Sequence, residues 1–160
     1  MNHRRRFDAH GAVLCAGDIM RRNPLSISES ATIRETAHFL TAKNIGAAPV
    51  INEAGRPLGV LSRSDIVRKS RIREDDHPNL SRIPVRDIMT PYLFLVAERT
   101  PVVTVIEKLL DHAVRRVFVA DVDGVLVGVV NATDILTKLR QSPLANLIPP
   151  TADSRTETKL

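Results

Sequence analysis

The chain is organised around the stretch Leu58-Gly59-Val60-Leu61-Ser62-Arg63-Ser64-Asp65-Ile66-Val67, which returns 69 residues later as Val127-Gly128-Val129-Val130-Asn131-Ala132-Thr133-Asp134-Ile135-Leu136. In both copies an apolar run with a glycine is followed by a small polar residue, and an aspartate comes three positions after that residue. This pattern predicts a buried strand that leads directly into a helix with a polar first turn. Because backbone N–H groups stay free at the start of a helix, such a junction is a natural binding edge.

The similarity between the two copies extends well beyond these ten positions. Residues 18–71 align with residues 87–140 at a constant shift of 69 without a gap, and 13 of the 54 aligned positions are identical. The chain therefore contains two tandem copies of one unit. Each copy is predicted to form a short strand, a helix, two strands of a hairpin and a second helix. The predicted elements are Pro24–Ser28, Thr32–Lys43, Ala47–Ile51, Pro57–Leu61 and Ser62–Arg71, then Tyr92–Val96, Thr100–Ala113, Arg116–Ala120, Val125–Val130 and Asn131–Arg140.

Helical spacing predicts which residues face the core. In the first helix of copy one these are Ile33, Ala37 and Leu40, with Thr36 as a further candidate, and Thr32 and Glu35 have the spacing of a capping box. In the first helix of copy two they are Val102, Ile106 and Leu109.

One unit of this size leaves a sheet face uncovered, so two copies are expected to pack together. The predicted class is α/β (α+β): two β-α-β-β-α repeats, related by a pseudo-twofold axis and packed sheet to sheet. We expect a flexible basic arm at 1–12, the first repeat at 13–71, a charged linker at 72–84, the second repeat at 85–140 and a partly disordered tail at 141–160.

Composition makes some classes of function less favoured than others. Aromatic residues make up 3% of the 160 residues, so a surface that stacks nucleic-acid bases is poorly supplied. The net charge of +5 comes partly from short arginine clusters such as Arg4-Arg5-Arg6. Such clusters are more typical of a phosphate-bearing small ligand, or of a solvated surface with no particular partner, than of nucleic-acid binding. The single cysteine, Cys15, suits a reducing compartment, and no apolar run is long enough to span a membrane. A cytoplasmic location is expected.

No motif predicts an enzyme. The five histidines lack metal-ligand spacing, and one cysteine cannot supply a zinc set. The nucleophile elbow, the phosphate-binding loop and the dinucleotide-binding glycine pattern do not occur in the sequence.

The two junctions allow two interpretations of their polar residues. Asp65 and Asp134 either cap the helices that follow, or accept hydrogen bonds from a ribose diol. In the second interpretation, Ser or Thr hydroxyls and Arg63 hold a phosphate. The residues concerned are Ser62, Arg63, Ser64 and Asp65 in one copy and Asn131, Ala132, Thr133 and Asp134 in the other.

Three motifs together resemble the cystathionine-beta-synthase (CBS) domain, in the tandem pair known as a Bateman module, over residues 13–140. They are the Asp-Ile-Met triplets, Ala48-Pro49-Val50-Ile51 before a glycine turn, and the Gly-Val-Leu-Ser-x-x-Asp-Ile stretch ending at Ile66. The resemblance implies a regulatory module that binds an adenosine-containing ligand (AMP, ADP, ATP, NAD or S-adenosylmethionine) between the repeats. The adenine nucleotide would be a regulatory ligand and not a catalytic cofactor.

The resemblance also implies roles for individual residues. Asp65 and Asp134 match the acid that binds ribose, and Ser62 matches the hydroxyl residue that begins the helix. The strand of Ala47, Ala48, Pro49 and Val50 matches the segment whose backbone meets the base.

The second copy departs from this pattern. Asn131 replaces the usual Ser or Thr, and Arg115-Arg116-Val117-Phe118 stands where copy one has Gly46-Ala47-Ala48-Pro49. We therefore expect the two clefts to bind unequally, with Arg115 or Arg116 either assisting a phosphate or narrowing the pocket.

The resemblance further implies a homodimer and a regulated enzyme or transporter as partner. A constitutive dimerisation or interaction module, or a nucleic-acid binder that uses the basic arm, is the alternative function.

Overall fold

The computed structural model describes residues 13–72 and 82–141. The predicted basic arm, the predicted tail beyond Gln141 and most of the predicted linker lie outside the described residues. The described elements are α1 (Ala16–Ile19), β1 (Arg21–Arg22), β2 (Ile27–Ser28), α2 (Ile33–Ala42), β3 (Ala47–Ile51), β4 (Pro57–Ser62), α3 (Arg63–Ile72), a 3-10 turn at Val85–Asp87, β5 (Leu95–Ala97), α4 (Val102–Asp111), β6 (Arg116–Ala120), β7 (Leu126–Asn131) and α5 (Ala132–Gln141).

The helices and hairpins of the two copies correspond residue by residue. Both bounds of α2, β3, β4 and α3 recur 69 positions later as the bounds of α4, β6, β7 and α5. Each hairpin is antiparallel, and β2 and β5 add to the hairpins as parallel strands. The predicted mixed α/β class and the tandem repeat are confirmed.

The first helix of each copy buries one face in the core. In α2 the buried residues are Ile33, Thr36 and Leu40, and the predicted capping box of Thr32 and Glu35 is present. In α4 the buried residues are Val102, Val105 and Leu109. Ile106, also predicted to face inward, is half-buried and packs against the edge of the core. The prediction omitted the fully buried Val105, on which the face is centred by the spacing i, i+3, i+7 from Val102.

The segment that opens each copy packs on the body of the other copy. We call residues 13–22 the first entry segment and residues 85–90 the second entry segment. Arg21 of β1 pairs with Val129 of β7, and Thr90 bridges to Val60 of β4 in the equivalent position. The backbone N–H of Ala16 donates to the carbonyl of Thr100 at 2.8 Å. The sheets are therefore β2-β3-β4 and β1-β7-β6-β5, and the second contains a strand from the first copy.

Each of the two hydrophobic cores contains the entry segment of one copy and the body of the other. Val85 and Ile88 of the second entry segment are buried with Leu40, Val50 and Leu61 of the first copy. The other core combines both copies in the same way and contains Leu14, Ala16, Ile19 and Met20 together with Val96, Val102, Val105, Leu109, Val117, Val119, Val130 and Ile135. The boundary between sequence repeats is thus not the boundary between cores.

The two hairpins also meet directly. The N–H of Leu126 donates to the carbonyl of Gly55 at 3.0 Å. The Arg116 guanidinium reaches the carbonyl of Ala47 at 3.5 Å. Because Ala47 and Arg116 are themselves equivalent positions, their contact lies at the pseudo-twofold axis that relates the copies.

Candidate functional site

The first junction, Ser62 to Asp65, is a closed hydrogen-bonded cap on α3. The backbone N–H of Ser62 donates to Asp65 Oδ2 at 3.0 Å, and the Ser62 hydroxyl donates to the same oxygen at 2.6 Å. In return, the N–H of Asp65 donates to Ser62 Oγ at 3.1 Å. The capping interpretation of Asp65 is therefore correct for one of its carboxylate oxygens.

The second junction, Asn131 to Asp134, forms the same cap with different chemistry. The N–H of Asn131 donates to Asp134 Oδ2 at 2.9 Å, and the N–H of Asp134 donates to Asn131 Oδ1 at 2.9 Å. An amide oxygen here replaces the serine hydroxyl. The departure from Ser or Thr at Asn131 thus preserves the cap, although it removes a hydroxyl that could donate to the carboxylate.

Each capping aspartate also contacts one arginine, and the two arginines come from different places. Asp65 Oδ1 pairs with Arg68, one turn along α3. Asp134 pairs with Arg21 of the first entry segment, whose Nε lies 3.1 Å from Oδ1 and 3.3 Å from Oδ2. The aspartate side chains are 13% and 14% exposed, so both carboxylates are similarly shielded but still reachable from solvent.

The strand predicted to meet the base lies beside the first junction. In the β3–β4 ladder Ala47 is opposite Ser62 and Ala48 is opposite Leu61. Ala48 and Pro49 are buried, and Ala47 is half-buried. The fold thus brings the start of β3 to the start of α3, as the predicted site requires.

Arg116 occupies the corresponding position at the second junction. It lies opposite Asn131 in the β6–β7 ladder, and its side chain is exposed. Its long contact to the Ala47 carbonyl directs the guanidinium toward the first copy.

The remaining predicted site residues lie in the first turns of α3 and α5 and make contacts of their own. The Arg63 guanidinium donates to the carbonyl of Leu40 at 2.9 Å, near the end of α2. The Ser64 and Ser62 hydroxyls are 2.9 Å apart. Thr133 is exposed, and its carbonyl accepts a hydrogen bond from Thr137 Oγ1 at 2.8 Å.

Sequence reasoning missed Arg21 as a residue of the second junction. In the sequence it is simply one member of a basic pair with Arg22. Arg21 and Asp134 are 113 positions apart, and no local spacing relates them. Only the exchange of entry segments brings them together.

In residues 13–72 and 82–141, no group of three His, Cys, Asp or Glu side chains is placed to hold a metal ion. Burial, with a smaller contribution from nearby Asp18, raises the pKa of the Cys15 thiol, which disfavours the reactive thiolate. No helix in the same ranges is both long and apolar enough to cross a membrane.

The structure is a tandem pair of α/β units in which each entry segment packs on the other copy. Each unit has one capped strand-to-helix junction. These features are typical of modules built from two paired repeats. The family model of the CBS domain matches residues 16–71 and again residues 85–141. The chain belongs to the CBS domain family.

Several known proteins are similar to this chain. An uncharacterized protein of Methanopyrus kandleri is 29% identical over 120 residues, which cover 75% of this chain and 60% of that protein. The gamma-3 subunit of 5'-AMP-activated protein kinase from Bos taurus is 34% identical over 122 residues, covering 71% of this chain but 24% of the subunit. The chain therefore spans less than two thirds of the length of these relatives.

Solved structures share the fold. The crystal structure of CBSX2 in complex with AMP superposes with a TM-score of 0.66 at 24% identity, and the match covers 79% of this chain and 96% of CBSX2. At this level of identity the likeness shows the fold.

Proposed function

We propose that this protein is a regulatory sensor that binds an adenosine-containing nucleotide at its two junctions and signals the binding to a partner protein. The observation that carries the proposal is the arrangement of Asp65 and Asp134. Each carboxylate is held at the start of a helix, beside the start of the strand expected to meet the base, and remains reachable from solvent.

The chemistry of a ribose fits this arrangement. A ribose presents two adjacent hydroxyl donors, and a fixed carboxylate accepts from both. Because Oδ2 of each aspartate is held by its cap, the carboxylate is already oriented and loses little freedom when a ligand binds. The hydroxyls of Ser62, Ser64 and Thr133, together with Arg63, then serve the phosphate side of the ligand.

The relatives support the ligand class. The structure of CBSX2 contains AMP in a protein of this fold, and the bovine relative is a subunit of a kinase named for activation by 5'-AMP. ADP, ATP, NAD and S-adenosylmethionine share the adenosine group and belong to the same class of candidate ligand.

The two clefts are proposed to differ. At the first junction the small residues Gly46 and Ala47 lie at the entry to β3, whereas the second junction has Arg115 and Arg116 at the entry to β6. These arginines either help to bind a phosphate or reduce the space that is left for the base. Unequal occupancy is expected in both cases.

Signalling requires a surface that a partner contacts, and α3 and α5 provide one. Val67 is 54% exposed on α3, and the equivalent Leu136 is 65% exposed on α5. We propose that this matched apolar pair contributes to a homodimer. The regulated protein would be an enzyme or a transporter.

A thermal-shift panel of AMP, ATP, NAD and S-adenosylmethionine tests the proposal on protein freed of co-purified ligand. A ligand at a hundred times its dissociation constant adds about 2.7 kcal/mol of apparent stability. We expect at least one member of the panel to raise the unfolding temperature, and Asp65→Asn or Asp134→Asn to remove the shift at its own junction.

The Asn substitutions keep an oxygen for the cap but remove the charge. Glu35→Gln is the matched control, since Glu35 forms a similar capping box on α2 away from both junctions. It should leave the ligand shift intact. If no ligand of the panel raises the unfolding temperature, the result would instead favour a constitutive interaction module or a nucleic-acid binder.

A further inference from the structure

The two junctions differ in the residue that the opposite entry segment supplies. Arg21 lies beside Val129 and pairs with Asp134, whereas the equivalent residue beside Val60 is Thr90, which carries no charge. Asp65 pairs instead with Arg68 of its own helix. Within residues 13–72 and 82–141, the second junction alone is paired with a cation from the other copy's entry segment.

Both oxygens of Asp134 are already engaged. Oδ2 accepts the N–H of Asn131, and the Arg21 guanidinium lies within 3.3 Å of both oxygens. A ribose diol that binds Asp134 must therefore displace Arg21 at least in part. The Arg21 side chain is 64% exposed, so it is free to move to a new position at small cost.

The charge of the ligand determines whether the displaced guanidinium finds a new partner. A neutral nucleoside separates the Arg21–Asp134 pair and offers no anion in return. A nucleoside phosphate supplies a new anion for the guanidinium, which binds phosphate through paired N–H donors. Without Arg21, the same phosphate would meet the negative charge of Asp134 with one fewer nearby cation.

We propose that Arg21 determines the ligand preference of the second cleft. This inference rests on the proposed function. When a ligand binds, the guanidinium leaves Asp134, whose carboxylate then accepts hydrogen bonds from the ribose, and it pairs with the 5'-phosphate. This cleft therefore prefers a 5'-phosphorylated adenosine over the unphosphorylated nucleoside. Arg21 belongs to the entry segment of the first copy but lies at the junction of the second copy. The ligand preference therefore depends on the packing of that segment on the other copy.

Isothermal titration calorimetry with AMP and adenosine tests the proposal in an Asp65→Asn background, where the first cleft is impaired. The measured quantity is the ratio of the adenosine dissociation constant to the AMP dissociation constant at low ionic strength. We expect Arg21→Ala to lower this ratio by about tenfold, the size that loss of one charge-assisted hydrogen bond produces.

Two further variants separate a specific role from a general effect of charge. Arg22→Ala removes the same charge from the next residue, whose guanidinium lies 3.7 Å from Glu98 and not at Asp134, and it should leave the ratio unchanged. Arg21→Lys keeps the charge and should retain most of the AMP preference. Thermal unfolding of each variant checks that it is folded.

The outcomes distinguish this inference from the proposed function. If the wild type binds neither ligand nor any other adenosine compound, both are wrong. If the wild type binds but the Asp65→Asn protein does not, the second cleft is not competent: this inference fails, and the proposed function is retained for the first junction alone. An unchanged ratio in Arg21→Ala, or an equal drop in Arg22→Ala, also contradicts it.

Discussion

Thr36 and Val105 occupy equivalent positions in α2 and α4, and both are almost fully buried. The two side chains have nearly the same shape, but Thr36 has a hydroxyl in place of a methyl group. Among the described residues, the Thr36 hydroxyl oxygen has no hydrogen-bond partner. A buried polar group without a partner has lost its water without compensation, which destabilises the fold.

We predict that Thr36→Val stabilises the protein by about 1 kcal/mol, because it removes an unsatisfied hydroxyl at nearly constant volume. The measurement is the urea midpoint at constant slope. The reverse change in the other copy, Val105→Thr, is the matched control and should be destabilising. A loss of stability in Thr36→Val would mean that the hydroxyl has a partner in solution.

Gly59 and Gly128 show how an entry segment constrains the strand it covers. Both glycines lie in the second strand of a hairpin, β4 or β7, beneath the entry segment of the other copy. A Cβ on Gly59 would overlap the carbonyl oxygen of Thr90 and lie 3.1 Å from Pro91 Cα. A Cβ on Gly128 would meet the side chain of Met20, with its Cγ at 2.8 Å.

The obstacle is backbone in one case and a flexible side chain in the other, so we predict unequal costs. Gly59→Ala should destabilise by about 3 kcal/mol, and Gly128→Ala by about 1 kcal/mol because Met20 has rotatable bonds with which to adapt. Equilibrium unfolding in urea measures both.

Gly46→Ala is the control for these substitutions. A Cβ there would meet nothing within 4 Å, and the change should be neutral or slightly stabilising through the unfolded chain. Equal costs at Gly59 and Gly128 would contradict the close approach of the Thr90 backbone to β4.

At the scale of the whole molecule, the exchanged entry segments join the two copies into one structure. Each core contains residues from both sequence repeats, so neither repeat buries a complete core by itself. The hairpin contacts at Gly55 and Ala47 add a second connection near the pseudo-twofold axis. Unfolding of one half should therefore expose the apolar surface of the other.

We predict that Ile88→Ala, in the second entry segment, destabilises the protein by about 2–4 kcal/mol by leaving a cavity in the core of the first copy. Its equivalent Ile19→Ala should have a similar cost through the other core. Both variants should unfold in a single transition seen equally by far-ultraviolet circular dichroism and by hydrogen exchange in both hairpins. Separate transitions for the two hairpins would contradict this coupling.

Local pattern was sufficient for most elements of the fold. The hairpin strands and the longer helices match their predictions to within about two residues, because apolar alternation, helical spacing and capping residues are local signals. The short strands were predicted too long: β2 is limited to Ile27–Ser28 and β5 to Leu95–Ala97. Strand length depends on how many partner residues are available, and that is not a local property.

The tandem repeat, the position of the two junction aspartates and the strands beside them could be predicted from the sequence, because a gapless repeat carries the same local signals twice. Tertiary structure alone decided which entry segment covers which body, and hence that Arg21 reaches Asp134 while Thr90 stands in the equivalent place. The physical reason is that both bodies offer closely similar apolar faces to both segments. Which segment packs on which body depends on the chain connections and on packing across the pseudo-twofold axis. Neither can be predicted from the spacing of residues along the chain.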